Sequence, residues 1–339
     1  MTGVLWSTLS DPAELARKGE LIPNYYNPHG MFSRVGFMAL GRPSTNYNRS
    51  FVEACGGVYP EVYYVSRLLP GLARRAALDF QPDLIRSGDR LTASLGAIAS
   101  KATGAPLVVS LHGHRPHEWS HPSVSMLRRA YLRWDDRHTR DGIKQASKVV
   151  IVYEALRDYA LRHAHPLQIV KIPNVVCPWP VVPKTRYAIV RKRPLVAILG
   201  SADALRWSDL VAKAAGMAGC DVVRYRGIPN RDMCSHLATV DIACAHSLYP
   251  GVSKGMMEAM WLGLPLVVNR EVSASAPELR GAVYVTGDFT GALNTLCRGG
   301  ANYRKALGRQ ARERAMKLWN PRRAEAQWAD LYLEAMRRA

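Results

Sequence analysis

No stretch of this 339-residue chain approaches the ~18 consecutive apolar residues of a membrane-spanning helix, which argues against a span within it. The opening residues, MTGVLWSTLSDPAEL, lack the basic start of a secretory signal. Six cysteines, at positions 55, 177, 220, 234, 244 and 297, are scattered with no CxxC pair. That pattern predicts reduced thiols rather than a disulfide framework or a zinc site, and with the missing signal it predicts a cytoplasmic protein. No GxGxxG opens either half of the chain, which speaks against a nicotinamide dehydrogenase. Helix-turn-helix, zinc-finger and RNA-recognition signatures are missing too, and the aromatics are not interleaved with lysines, so no nucleic-acid partner is predicted. Internal repeats and low-complexity segments are absent.

What is present is a globular, strongly basic chain. Hydrophobic residues at 48% and charged residues at 22% leave no case for disorder. The formal charge of +19 is carried by both halves rather than by a tail, and it points to an anionic partner: nucleic acid, anionic lipid or a phosphorylated substrate. Arginine-rich compositional drift would produce the same excess. Short apolar runs alternate with helical patterns throughout. Strands are predicted at Val35–Gly41, Asp83–Ser87, Pro106–Leu111, Lys148–Tyr153 and Ile169–Ile172, with helices at Leu91–Thr103 and Glu154–His163. A proline-dense stretch around Pro173, Pro178, Pro180 and Pro183 suits neither a helix nor a central strand. The rhythm then restarts, with strands at Leu195–Leu199, Asp221–Arg226, Asp241–Ala245, Pro265–Val268 and Val283–Val285, and helices at Asp203–Met217, Arg231–Val240 and Lys254–Leu262. The fold class is therefore α/β, as two doubly wound, Rossmann-like domains facing across a cleft at the carboxyl ends of their sheets. The boundaries read as residues 1–178 for the first domain, 179–190 for a linker and 191–318 for the second. A C-terminal helix over 319–339 is expected to pack back toward the first domain.

The segment Tyr249–Asn269, YPGVSKGMMEAMWLGLPLVVN, is the most informative. A glycine-broken loop leads into a short helix whose first turn holds Glu258, followed by an apolar strand. A loop ending at a helix N-terminus presents unpaired N–H groups and the positive end of the helix dipole, a ready phosphate site, and Glu258 lies at ribose distance from it. Ser253, Lys254, Gly255 and Met256 line this cradle, which suits a nucleotide diphosphate.

LHG followed by a basic loop, then KVVIVYEALRDYAL, IVKIPNVV and SKGMMEAMWLGLPLVV, resembles the retaining glycosyltransferases of family 4, with the GT-B fold. The likeness runs from about Asp83 to the C-terminus. It implies a nucleotide-sugar donor on the second domain and a glycan or lipid-linked acceptor on the first. Transfer would retain the anomeric configuration by a front-face route, with no cofactor and no divalent metal, the departing phosphate accepting the proton. Such a route needs cationic and backbone donors for the developing diphosphate charge. Glu258 matches the second glutamate of the family's E-x7-E pattern, expected on the ribose hydroxyls. The first glutamate is missing, Pro250 standing in its place, so the usual contacts to the hexose ring are in doubt. In GSADALRWSDLVAKAA, Ser201 and Arg206 occupy the positions of an arginine and a lysine that clamp the diphosphate, and Arg206 keeps that charge. Ile228 begins the loop whose backbone reads the base. His112, directly after the LHG strand, falls where a histidine lines the cleft near the donor sugar. Asn27, His29 and Gly30 fall in a flexible loop at the front of the cleft. Arg86 and Asp89 follow a preceding strand at the cleft mouth, and these five are the acceptor-side candidates.

Each of these residues also has a plainer reading. Glu258 suits a first helical turn for its dipole alone, and Arg206 suits an exposed helix start. The cluster His112, His114, His117 and His121 invites zinc, yet no carboxylate or cysteine has convincing ligand spacing, and no metal is expected. The segment Met126–Lys144 reads as a helix, aromatic and arginine-rich, that meets an anionic membrane surface or is simply solvated, with Asp135, Asp136 and Asp141 interrupting its basic face. Within the same architecture a nucleotide-sugar epimerase or a phosphorylase is the nearest alternative to a transferase. A non-catalytic basic binding protein is a further one.

Overall fold

The computed structural model describes residues 2–8, 12–13, 21–40, 47–66, 69–88, 92–113, 119–120, 124–176, 182–200, 208–225, 228–249 and 251–337. The chain separates into two compact units, one made of Met1–Asn174 with Pro321–Ala339, the other of Val175–Asn320.

The first unit runs β1 (Gly3–Thr8), β2 (Arg34–Ala39), α1 (Arg49–Ala54), β3 (Glu61–Tyr64), α2 (Pro70–Phe80), β4 (Leu84–Ser87), α3 (Ala93–Thr103), β5 (Leu107–Leu111), α4 (Met126–Gln145), β6 (Lys148–Ile151), α5 (Arg157–Leu161) and β7 (Ile169–Lys171). Its seven strands are all parallel, in the order β3-β2-β1-β4-β5-β6-β7. The strand predicted at Val35–Gly41 and the later ones lie within a residue or two of their observed ends. β1 and β3 were not anticipated, yet β1 lies inside the sheet between β2 and β4. Its VLWST run is short, apolar and β-branched, the signal of a fully buried strand, and Val4, Leu5 and Trp6 are buried. The predicted helix at Glu154–His163 is a 3-10 turn, Glu154–Leu156, running into the short α5.

Helix α4 corrects one expectation. Asp135 and Asp136 do not interrupt an outward basic face: with Leu132, Thr139, Gly142 and Ile143 they form the buried stripe at helical spacing. Tyr159 donates to Asp136 at 2.6 Å, and Arg140 pairs with it at 3.1 Å. Gly142 allows the close approach, since a Cβ there would stand 2.4 Å from that of Ala93 on α3. Asp141 alone of the three faces outward.

The second unit runs β8 (Leu195–Ile198), α6 (Ser208–Met217), β9 (Asp221–Val223), α7 (Asn230–Ala238), β10 (Ile242–Ala245), α8 (Lys254–Leu262), β11 (Leu266–Asn269), α9 (Arg270–Ser275), β12 (Tyr284–Thr286), α10 (Phe289–Arg298) and α11 (Gly300–Leu318). Five parallel strands take the order β12-β11-β10-β8-β9. α8 begins and ends where the sequence predicts. Buried arginine Arg304 of α11 donates to the carbonyls of Tyr187, Leu296 and Cys297, stitching the segment after the prolines onto this unit.

Helix α12 (Pro321–Arg337) returns the chain to the first unit. Its Glu334 pairs at 2.7 Å with Lys148, which is buried on β6, and its Glu325 accepts from Asn24 at 2.9 Å. Arg86, on β4, is enclosed between the Trp6 ring at 4.0 Å and the Trp328 ring at 3.4 Å, and donates to the Tyr332 hydroxyl. A desolvated cation on an aromatic face gains about 2 kcal/mol. That interaction, with the tyrosine, offsets the cost of burying the guanidinium.

Candidate active site

In each sheet the strand order reverses at one point, and in open parallel sheets ligands gather at the carboxyl ends there. In the second unit the reversal lies between β8 and β10. His246 and Ser247 directly follow β10. The Ser247 amide donates to Asn269 Oδ1 at 3.0 Å, and Asn269 Nδ2 donates back to the Ser247 carbonyl at 2.9 Å and to Glu271 at 2.7 Å. Asn269, buried at the end of β11, therefore splices the loop after β10 to the start of α9. Gly251 takes a left-handed φ of +93°, which favours glycine, and its amide is held by Ser275 at 3.0 Å.

The loop then enters α8. Ser253 is the N-cap, its hydroxyl accepting from the Met256 amide at 3.4 Å. Lys254 and Gly255 form the first turn, half-buried. Glu258 is not in that first turn, as expected from sequence, but is the fifth residue of the helix, a full turn beyond the free amides, and only 4% exposed. A carboxylate set there gains little from the helix dipole, which acts within the first turn. Ile228 and Pro229 lead into α7, with the Pro229 carbonyl accepting from Asp232. Ser201, Arg206 and Pro250 lie outside the described residues.

In the first unit the reversal lies between β1 and β4. Three hydroxyls meet there, of which Ser7 and Thr92 were not singled out from sequence: Thr92 donates to the Ser7 carbonyl at 2.9 Å, Ser7 to the Thr92 carbonyl at 3.2 Å, and Ser87 stands 3.0 Å from the Thr92 hydroxyl. Ser7 and Ser87 stand in the last two residues of their strands, a polar end to an apolar run. Arg86 and Trp6 sit under this cluster. His112 follows β5 and is half-buried; His114, His117, His121 and Asp89 lie outside the described residues. Among the described residues no group of three or more histidine, cysteine or acidic side chains could hold a metal ion.

The loop holding Asn27, His29 and Gly30 is ordered by its own chemistry. Asn27, fully buried, donates to the carbonyls of Phe32 and Cys55 and accepts from the Phe32 amide, so its side chain is committed to the loop itself. Gly56 is required beside it, because a Cβ there would stand 2.9 Å from the Asn27 amide nitrogen and φ is +72°. His29 has a left-handed φ of +54°, held by the bond from its amide to Glu325 at 3.0 Å. Gly30, with φ +62°, is exposed, its amide donates to the Asn27 carbonyl at 2.9 Å, and a Cβ there would meet nothing within 4 Å.

Two titrations mark the second unit. Burial holds His246 below the usual histidine range against the opposing pull of Glu271. Its own backbone amide and Asn269 hold Glu271 below the usual carboxylate range, against burial. A cavity of about 600 Å³, lined by Gly281, Ala282, Gln310, Glu313, Arg314 and Lys317, lies at the amino end of β12, the wrong end of the sheet for a nucleotide.

Residues 30–178 match the model of Glycosyltransferase Family 4. That stretch resembles a glycosyltransferase family 4 domain. The solved structures that resemble the whole chain are GT-B proteins, and the fold is GT-B. Anabaena HepE, solved in complex with UDP-glucose, is 14% identical with a TM-score of 0.70, covering 98% of this chain and 100% of that one. Sucrose-phosphate synthase from Thermosynechococcus elongatus is 13% identical with a TM-score of 0.72, with complete coverage of both chains. The lipopolysaccharide outer core galactosyltransferase WaaB is 11% identical with a TM-score of 0.65, covering 98% and 99%. A search of curated proteins finds no match.

Proposed function

We propose that the protein transfers a hexose-type sugar from a nucleotide-diphosphate donor to a hydroxyl of a glycan or lipid-linked acceptor, with retention and without a divalent metal. The observation that carries the donor assignment is the junction of β10 and α8, where the capped helix start, left-handed Gly251 and buried Glu258 meet at the point of strand reversal. Helix amides and Lys254 receive the diphosphate, and Glu258 accepts from the ribose hydroxyls. Arg206 is assigned to the leaving diphosphate from sequence alone, and so are Ser201, beside it, and Ile228, near the base. Stabilising the charge that grows on the diphosphate is the main demand of a front-face transfer, and cationic and N–H donors meet it without a protein nucleophile. His112 faces the donor sugar. On the acceptor side, His29 and Gly30 present an exposed loop, while Asn27 and Arg86 act by holding its surroundings; Asp89 completes this set from sequence. The complexes of Anabaena HepE with UDP and UDP-glucose support a uridine donor as the first to test.

The test is a thermal-shift panel of UDP-, GDP-, ADP- and dTDP-sugars, followed by product analysis. A ligand present at a hundred times its dissociation constant stabilises by about 2.7 kcal/mol, so one member of the panel should stand out. Transfer should then require an added acceptor and keep its rate in excess EDTA. Donor turnover independent of any acceptor would favour an epimerase, and phosphate-dependent sugar release a phosphorylase. Loss of activity to EDTA with recovery on adding manganese or magnesium would overturn the metal-independent route.

A further inference from the structure

Two thiols of the second unit lie close together, and nothing in the proposed transfer uses them. We propose that Cys220 and Cys297 form a redox pair that closes to a disulfide when a hydroperoxide oxidises Cys297. Cys220 lies in the turn between α6 and β9, Cys297 is the penultimate residue of α10, and their sulfurs are 3.9 Å apart across 77 positions of sequence. A disulfide needs ~2.05 Å, so side-chain rotation has to bring the sulfurs roughly 2 Å closer.

The two sulfurs are not equivalent. Cys297 is half-buried, with part of its surface reachable by a small oxidant, whereas Cys220 is only 2% exposed. Arg304, whose guanidinium donates to the Cys297 carbonyl at 3.2 Å, sets a permanent positive charge beside that thiol. The Arg304 charge and the contact between the two sulfurs favour a thiolate on the pair, and Cys297, the more exposed sulfur, is the one an oxidant reaches first. A third thiol, Cys244 on β10, is fully buried and pushed upward by that burial, which leaves it a spectator.

The chemistry balances in two steps. The Cys297 thiolate attacks the hydroperoxide oxygen. The O–O bond breaks, the departing oxygen takes up a proton and leaves as water or alcohol, and the sulfur, oxidised by two electrons, becomes a sulfenic acid. Cys220 sulfur then attacks the sulfenic sulfur, its proton leaves with the hydroxyl as a second water, and the S–S bond forms. The bridge would tie the end of α6 to α10 and constrain the unfolded chain across the intervening loop.

Full-length protein is treated with hydrogen peroxide, alkylated, digested and mapped by mass spectrometry. The expected product is one linked peptide pair joining Cys220 to Cys297, lighter by two hydrogens and released by dithiothreitol. The oxidised protein should melt above the reduced one, a difference lost in Cys297→Ser. In Cys220→Ser the reaction should stop at a sulfenic acid that dimedone captures on Cys297. Alkylation of reduced Cys297 should be faster than that of buried Cys55 or Cys234. Peroxide-treated wild-type protein that stays unlinked at these positions, or that links through a different cysteine, would overturn the proposal.

Discussion

Glu258 carries the donor assignment, because it is buried one turn inside α8, behind the capped helix start that follows the strand reversal. Replacing it with glutamine preserves shape and helix propensity while removing the charge and turning one acceptor into a donor. Charge-assisted hydrogen bonds contribute ~1.5–3 kcal/mol, so donor affinity should fall about ten- to a hundredfold. The ribose is remote from the breaking bond, so the loss should appear in KM with kcat largely kept. Wild-type affinity in a calorimetric titration of the folded variant would remove Glu258 from the site. His246 leads to a pH prediction. Its folded-state pKa is depressed by burial, so the unfolded chain binds the proton first, at 6.5. Stability is therefore full above pH 6.5 and declines as pH falls from there through the folded-state value. His163 acts in the same direction, through burial and nearby Arg140. Glu154, held down by Arg157, and Glu271, by its own amide, lose their contributions only at lower pH. Urea denaturation across this window should show the decline, and His246→Gln should flatten part of it, leaving the His163 share.

At the scale of elements, α12 is the most consequential. Its Trp328 and Tyr332 enclose Arg86, and its Glu325 and Glu334 bind Asn24, the His29 amide and Lys148. Trp328→Ala removes both half-buried aromatic surface and the face over a desolvated guanidinium, and should destabilise by about 2–3 kcal/mol. Tyr332→Phe leaves the ring and removes one bond to a charged group, a loss of ~1.5–3 kcal/mol. Both are read from the midpoint of urea denaturation, with m unchanged. A midpoint unmoved by Trp328→Ala would show that the helix is held by its aliphatic contacts alone. The sequence placed a helix here through its amphipathic pattern, and Pro321 marked its start. The expected packing toward the first domain came without its contacts, because attachment depends on Arg86, 246 positions from Tyr332.

At the scale of the whole molecule, the +19 charge and the outer face of α4 act together. Met126 and Leu127 are 85% and 87% exposed, Tyr131 and Trp134 are exposed beside them, and Arg128, Arg133 and Arg137 share that side. With Asp135 and Asp136 turned inward, the outer face is more basic than sequence alone implied. No helix among the described residues is long and apolar enough to cross a membrane. A peripheral role at the inner face of a membrane is proposed, in which arginines meet anionic headgroups and Met126, Leu127 and Trp134 enter the interface. Co-sedimentation with anionic vesicles should exceed that with neutral ones. It should fall as salt shortens the Debye length to ~8 Å near physiological ionic strength. The double variant Met126→Ser, Leu127→Ser should weaken it at constant charge. Equal recovery on neutral and anionic vesicles would leave the charge as a property of composition.

The sequence by itself determined the α/β class, the two-part organisation and the identity of α8 with its loop. Those features rest on local signals: buried parallel strands read as continuous apolar runs, prolines break both helix and strand, and a cap followed by an apolar stripe defines a helix start. Tertiary structure alone decided that β1 lies between β2 and β4 in the first sheet, that Asp135 and Asp136 face inward, and that Asn27 commits its amide to its own loop. It also decided that Ser7, Ser87 and Thr92 meet at one strand reversal, that Asn269 splices Ser247 to Glu271, and that Cys220 and Cys297 face each other. Each of these depends on partners far apart in the chain, and spacing along a sequence carries no information about which distant residue fills a hydrogen bond or a contact.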